Sequence, residues 1–162
     1  MILPPFKPET HYREVPIPEC RGKWRWEVLQ DVTVRVPFKT ANFAFVDAKG
    51  TEWGKLEHRF LTVRKGYWWN GCSPKLLVGN VWLGTPDTSR TLLGSLMHDL
   101  LYQTSGDPMF PLTREQCDLL FLWILNSSGS VLSVPYYFGV VIFGDLFFGR
   151  QNGDGLRVIP IV

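Results

Sequence analysis

Leu96-Met97-His98-Asp99-Leu100-Leu101-Tyr102 is followed, after a break rich in turn residues, by Cys117-Asp118-Leu119-Leu120-Phe121-Leu122-Trp123-Ile124-Leu125. Both stretches read as helix. Between them, Gln103 to Leu112 carries Gly106, Pro108 and Pro111, residues that turn one helix back along the other. In that antiparallel pair Asp118 lies among apolar neighbours with little solvent face. An unpaired carboxylate there costs on the order of several kcal/mol, so a partner is required. His98 and Tyr102 are the polar side chains best placed on the preceding helix to supply one. Two meanings stay open for a His with a buried Asp partner: a closed hydrogen-bond network that fixes helix register, or a base held ready to activate water.

Start and stop signals delimit the helices. Asp87 or Thr88 caps the first, which reaches about Gln103 with Leu92, Leu93, Leu96 and Leu100 as its apolar side. Thr91, Ser95, His98 and Tyr102 fall on one line of it. Thr113-Arg114-Glu115-Gln116 has capping-box spacing and opens the second helix, which ends near Asn126. Ser133 as N-cap and Pro135 in the first turn open a third, apolar helix. Gly139, Gly144 and Gly149 permit that helix to pack closely. Its apolar stretch, Val134 to Gly149, falls short of the about twenty residues a membrane span needs, and Asp145 interrupts it.

The first half reads as strands. Trp24 to Val36 alternates in places and forms one or two of them; Asn42 to Val46 is another, with Asp47-Ala48-Lys49-Gly50 as its turn. His58 to Val63 is a further strand feeding Lys65-Gly66-Tyr67-Trp68-Trp69-Asn70-Gly71-Cys72-Ser73-Pro74. Residues 1–20 hold five prolines and read as an extended N-terminal arm. Residues 21–150 form a single domain, and residues 151–162, with Gly153 and Gly155, an extended C-terminal tail. The expected fold class is α+β: a small antiparallel β region, then the antiparallel helical pair, then the third apolar helix, with extended arms at both termini.

Composition narrows the function classes. A chain of 162 residues that is 45% hydrophobic can bury a real core, and seven Trp residues are many for that length. A net charge of +2 with no Lys/Arg run argues against a nucleic-acid partner. Cys20, Cys72 and Cys117 are too few and odd in number for a disulfide framework. Met1-Ile2-Leu3 runs into Pro4-Pro5, unlike a secretion signal, so the expected place of synthesis is a reducing cytosol.

Chemistry could gather around the pair. Asp99 projects from a different side of the helix than His98, and residues 69–74 have a composition that exposes backbone carbonyls. A carboxylate with loop carbonyls is an oxygen site for a hard cation such as calcium. Neutral His98 would then take a proton from water, with Asp118 fixing its tautomer.

This set resembles secreted phospholipase A2. The H-D-x-x-Y helix of that family matches His98, Asp99 and Tyr102, and its second-helix Asp matches Asp118. A D-G-C-S loop in the bacterial members stands against Asn70-Gly71-Cys72-Ser73. The resemblance implies His98 as catalytic base, Asp118 as its orienter, Tyr102 bonded to that Asp, and Asp99, Asn70 and Gly71 around calcium, with membrane lipid as substrate. Two positions depart from it: Asn70 replaces a charged ligand, and Ser95 replaces the cysteine three residues before the His.

A second resemblance covers more of the chain, from about Trp24 to Gly149. It is to an uncharacterised domain family of phages and prophages, with a G-F-x-x-D-G-A-S-I-P strand end, an H-D-x-L-Y helix and a later A-D-x-x-F helix. The equivalents are Gly66 to Ser73, His98-Asp99-Leu100-Leu101-Tyr102 and Cys117-Asp118-Leu119-Leu120-Phe121. Asn70 departs from this family's Asp as well. The resemblance implies a phage structural or accessory protein, associated with a virion or tail and docking on other virion proteins.

Weaker signals remain. Cys72, His98 and Asp118 occur in the order of a thiol hydrolase, and Cys72, His98 and Cys117 could be read as zinc ligands, though the spacing fits no zinc motif. His11 and His58 read as surface or loop residues. Tyr67-Trp68-Trp69 either covers the core at a strand end or docks at a lipid headgroup layer.

Overall fold

Val32, Val34 and Val36 are buried while Thr33 faces out, so the period-2 pattern becomes strand β3 (Val32–Arg35). The protein is described by a computed structural model for residues 11–15, 26–71, 75–78, 81–84, 87–146, 148–149 and 156–161. Cys20, Trp24, Cys72, Ser73, Pro74, most of the N-terminal segment and half of the C-terminal one lie outside these residues.

Strand β3 is one edge of a five-stranded antiparallel sheet. Its neighbours in order are β6 (Phe60–Val63), β5 (Glu52–Glu57), β4 (Phe43–Val46) and β10 (Arg157–Pro160). A three-stranded sheet runs β1 (Tyr12–Glu14), β2 (Trp26–Val28), β7 (Trp68–Trp69). β8 (Lys75–Val78) and β9 (Val81–Gly84) form a two-stranded ladder. Three helices follow: α1 (Leu92–Thr104), α2 (Arg114–Ser127) and α3 (Ser133–Phe143). The fold is α+β, as expected.

Turn chemistry accounts for the sheet's connections. Asp47 Oδ1 accepts from the backbone of Lys49 (2.8 Å) and Thr51 (2.9 Å), and Gly50 takes the left-handed φ of +81° that closes the β4–β5 turn. His58 (φ 50°) and Arg59 (φ 68°) close the β5–β6 hairpin with two left-handed residues, the geometry of a type I′ turn. His58 is therefore in the turn and exposed, and the strand expected to begin there begins two residues later, at Phe60.

Three features differ from the sequence-based expectation. Tyr12–Glu14, inside the segment read as an arm, pairs with β2, and Tyr12 and Val15 are buried. Arg157–Pro160, inside the segment read as a tail, pairs with β4 and buries Val158. Strand β5 has no counterpart in the sequence reading because Glu52, Lys55 and Glu57 mask its alternation, although Gly54 and Leu56 point into the core. These two stretches are sheet edges and not free arms.

α1 is the centre of the molecule, with Leu96, Met97, Leu100 and Leu101 completely buried. Gly54 makes room for it: a Cβ there would stand 2.8 Å from Leu100 Cδ2 and 2.7 Å from the Thr62 carbonyl oxygen. The helix starts at Leu92, later than a cap at Thr88 implies, because residues 88–91 form a closed turn in which Thr91 Oγ1 accepts from the Thr88 amide (2.9 Å). α2 begins as expected, with Gln116 N donating to Thr113 Oγ1 (3.2 Å) and Thr113 N to Gln116 Oε1 (2.9 Å). α3 starts at Ser133, which is the first helical residue and not the cap. It docks on α2 through a small cluster of Phe121, Leu125, Tyr136 and Val140. No helix among the described residues is long and apolar enough to cross a membrane.

Candidate functional site

Asp118 is 2% exposed and His98 8% exposed, on facing turns of α2 and α1. His98 Nε2 lies 3.1 Å from Asp118 Oδ1, and the Tyr102 hydroxyl donates to the same oxygen at 2.6 Å. The three residues expected to meet do so. Rings fix the imidazole on two sides: its centroid is 4.0 Å from that of Tyr102 and 5.0 Å from that of Phe121. An ionised Asp118 can only accept, so Nε2 carries the hydrogen of this bond. The other nitrogen, Nδ1, makes no hydrogen bond to any described residue.

A fourth member is absent from the sequence-based set. Arg114, one helical turn before Asp118, holds its Nε 3.5 Å from Asp118 Oδ2. The same guanidinium donates to Asp145 and to the carbonyl oxygens of Val140 (3.3 Å) and Val141, in the last turn of α3. Arg114 therefore offsets the charge of the buried carboxylate and caps the C-terminal end of the next helix. Gly144 is what lets α3 end there, since a Cβ would stand 2.6 Å from the Tyr102 hydroxyl and 2.9 Å from Arg114 Nε. An Arg four residues before a buried Asp was the available signal.

Burial, and then the bond to Asp118, push the Tyr102 hydroxyl far above the usual phenol range, so it stays a donor. Burial, and then the neighbouring Asp118 charge, raise the Cys117 thiol well above the usual thiol range. That thiol is buried, away from any reactant in solvent. Cys72 lies outside the described residues. Among the described residues no group of three or more His, Cys, Asp or Glu side chains is arranged to hold a metal.

The calcium set meets in a different way. With its nitrogen turned toward them, the Asn70 amide donates to Asp99 Oδ2 at 2.7 Å and to the Gly71 carbonyl oxygen at 3.2 Å. In that orientation the amide bridges two of the groups expected around calcium, and residues 72–74 of the same loop lie outside the described residues. Gly71 has φ +80°, and a Cβ on it would stand 2.5 Å from Asp87 Oδ1, so only glycine suits the position. Asp87 also accepts from Trp26 Nε1 at 3.2 Å.

The remaining polar residues of α1 tie the helix to the small sheet. Ser95 accepts from Trp69 Nε1 (3.1 Å), and Gln103 Oε1 accepts from the Tyr67 hydroxyl (2.8 Å). Trp69 is fully buried and Tyr67 nearly so, so these two aromatics cover the core. No family model matches the chain, and no curated protein or solved structure matches it.

Proposed function

We propose that the protein is a phage-derived structural or accessory protein, associated with a virion or tail, in which the His98–Asp118 pair joins two helices. The observation that carries this reading is the burial of the network: Asp118, 2% exposed, accepts from Tyr102 and His98 on one oxygen and faces the Arg114 charge with the other. A carboxylate so fully engaged specifies how α1 and α2 seat on each other, because any other register leaves it unpaired. Phage origin and virion partners rest on the sequence resemblance.

A His98→Ala variant should melt well below the wild-type protein, while neither releases fatty acid from liposomes with millimolar calcium or with chelator. Fatty-acid release by the folded wild-type protein that His98→Ala abolishes would overturn this reading.

One observation favours a second reading, an ester hydrolase like phospholipase A2. With Nε2 held by Asp118, the lone pair of His98 Nδ1 has no partner among the described residues. Nδ1 would take a proton from water as its oxygen bonds to the ester carbonyl carbon. The imidazolium would then return the proton to the departing alcohol. The same liposome assay separates the two readings.

A further inference from the structure

Asparagine followed by glycine occurs at Asn70-Gly71 and again at Asn152-Gly153. The amide carbon of an asparagine side chain is open to attack by the next residue's backbone nitrogen, and glycine has no side chain to hinder that approach. At Asn70 the fold adds two carboxylates from distant positions. Asp87 lies against Gly71: a Cβ built there would meet Asp87 Oδ1 at 2.5 Å and Oδ2 at 2.7 Å. The carboxylate therefore sits beside the Gly71 α-carbon, one bond from the amide nitrogen. Asp99 stands at the other end, its Oδ2 2.7 Å from the Asn70 side-chain nitrogen. That nitrogen is 3.2 Å from the Gly71 carbonyl oxygen, so the amide extends forward along the Gly71 backbone. Asn70, Asp87 and Asp99 are all half-buried, within reach of water.

We propose that Asn70 is a self-modifying residue, which the fold converts to a carboxylate. The Gly71 nitrogen bonds to Asn70 Cγ as Asp87 takes its proton. The tetrahedral carbon then expels the side-chain nitrogen. Asp87 returns the proton through water to that nitrogen, and Asp99 faces it while it carries positive charge. The Cγ–Nδ2 bond breaks, ammonia leaves and a cyclic succinimide remains. Water opens the ring at either carbonyl, giving aspartate or isoaspartate at position 70. An amide and a water molecule are consumed, and a carboxyl group and ammonia are formed. The reaction depends on neither reading of the His98–Asp118 pair. Its consequence is local: the new carboxylate stands where the amide nitrogen met Asp99, and like charges at that separation repel. Conversion loosens the end of β7 from α1, once and irreversibly, and so acts as a clock built into this loop.

The test is peptide mass spectrometry of the full chain held in neutral buffer and sampled over days. Asn152 serves as the internal reference, because it shares the dipeptide. In urea, where the carboxylates are dispersed, Asn70 and Asn152 should convert at similar rates. In the folded protein Asn70 should convert about tenfold faster than in urea. Heavy-oxygen water should label the new carboxyl group. Asp87→Asn and Asp99→Asn should each slow conversion of the folded chain about tenfold and leave the rate in urea unchanged. Asn70→Gln should show no conversion at that position. If neither carboxylate variant folds, the comparison of folded and urea-denatured wild type carries the test. The inference is overturned if Asn70 keeps its amide in the folded protein or converts there no faster than in urea. A folded Asp87→Asn or Asp99→Asn variant that converts at the wild-type rate would also overturn it.

Discussion

Tyr102 and His98 approach the same oxygen of Asp118, and Arg114 faces the other, so each donor depends on the placement of the rest. Tyr102→Phe removes one donor to an ionised group and should cost about 2 kcal/mol in urea denaturation, a typical value for charge-assisted bonds. A loss near zero would mean that water or Arg114 replaces the hydroxyl. Asn70 offers a gain-of-function counterpart. Asn70→Asp puts a second carboxylate beside Asp99 and the Gly71 carbonyl, so millimolar calcium should raise the melting temperature of this variant and leave wild type unchanged. Thermal melts with calcium and with chelator read this directly. At this scale the sequence was informative about Asp118, His98 and Tyr102, because a carboxylate in an apolar helix demands partners. It was silent on Asn70 as a donor, since an amide side chain presents either an oxygen or a nitrogen and only the folded geometry selects one.

Helix α1 meets strand β5 at Gly54, where the Leu100 side chain and the Thr62 carbonyl oxygen of β6 fill the space a Cβ would take. Gly54→Ala would press its Cβ against the Thr62 carbonyl oxygen and Leu100. The backbone atom cannot yield as a flexible side chain can, so the variant should lose about 2–3 kcal/mol by chemical denaturation. An unchanged midpoint would place α1 farther from the sheet. The helices were readable element by element: the Thr113/Gln116 capping box starts α2 where the spacing puts it. β5 was not readable, since its buried positions offer only Gly54 and Leu56 among three charged residues. The terminal strands were hidden for a related reason. Proline and glycine mark extended chain, but whether extended chain pairs depends on a distant edge that local sequence does not display.

At the scale of the whole molecule, acid stability follows from carboxylates in the turns. The Lys65 backbone amide, then the Arg64 guanidinium, lower the Asp31 carboxyl below its ordinary value of 3.8. The Thr51 amide does so chiefly for Asp47, and Lys55 for Glu57. Each group is more acidic folded than unfolded, so its contribution is present above the ordinary value and is lost as pH falls through the folded one. Melting temperature should therefore change little between about pH 7 and 5 on account of these groups and fall below about pH 4. Asp31→Asn should flatten that fall. An acid limb of equal steepness in this variant would remove Asp31 from the account.

Strand β10 bears on how the molecule comes into being. Its partner β4 leaves the ribosome first, and residues 47 to 156 must be made before Arg157–Pro160 can pair with it. At about 5–20 residues per second, the outer edge of β4 stays open for on the order of ten seconds on each nascent chain. During that window Phe43 and Phe45 belong to an unfinished sheet able to recruit the same strand from a neighbouring polysome. Crowded expression should therefore favour strand exchange, and slower initiation should favour the monomeric product.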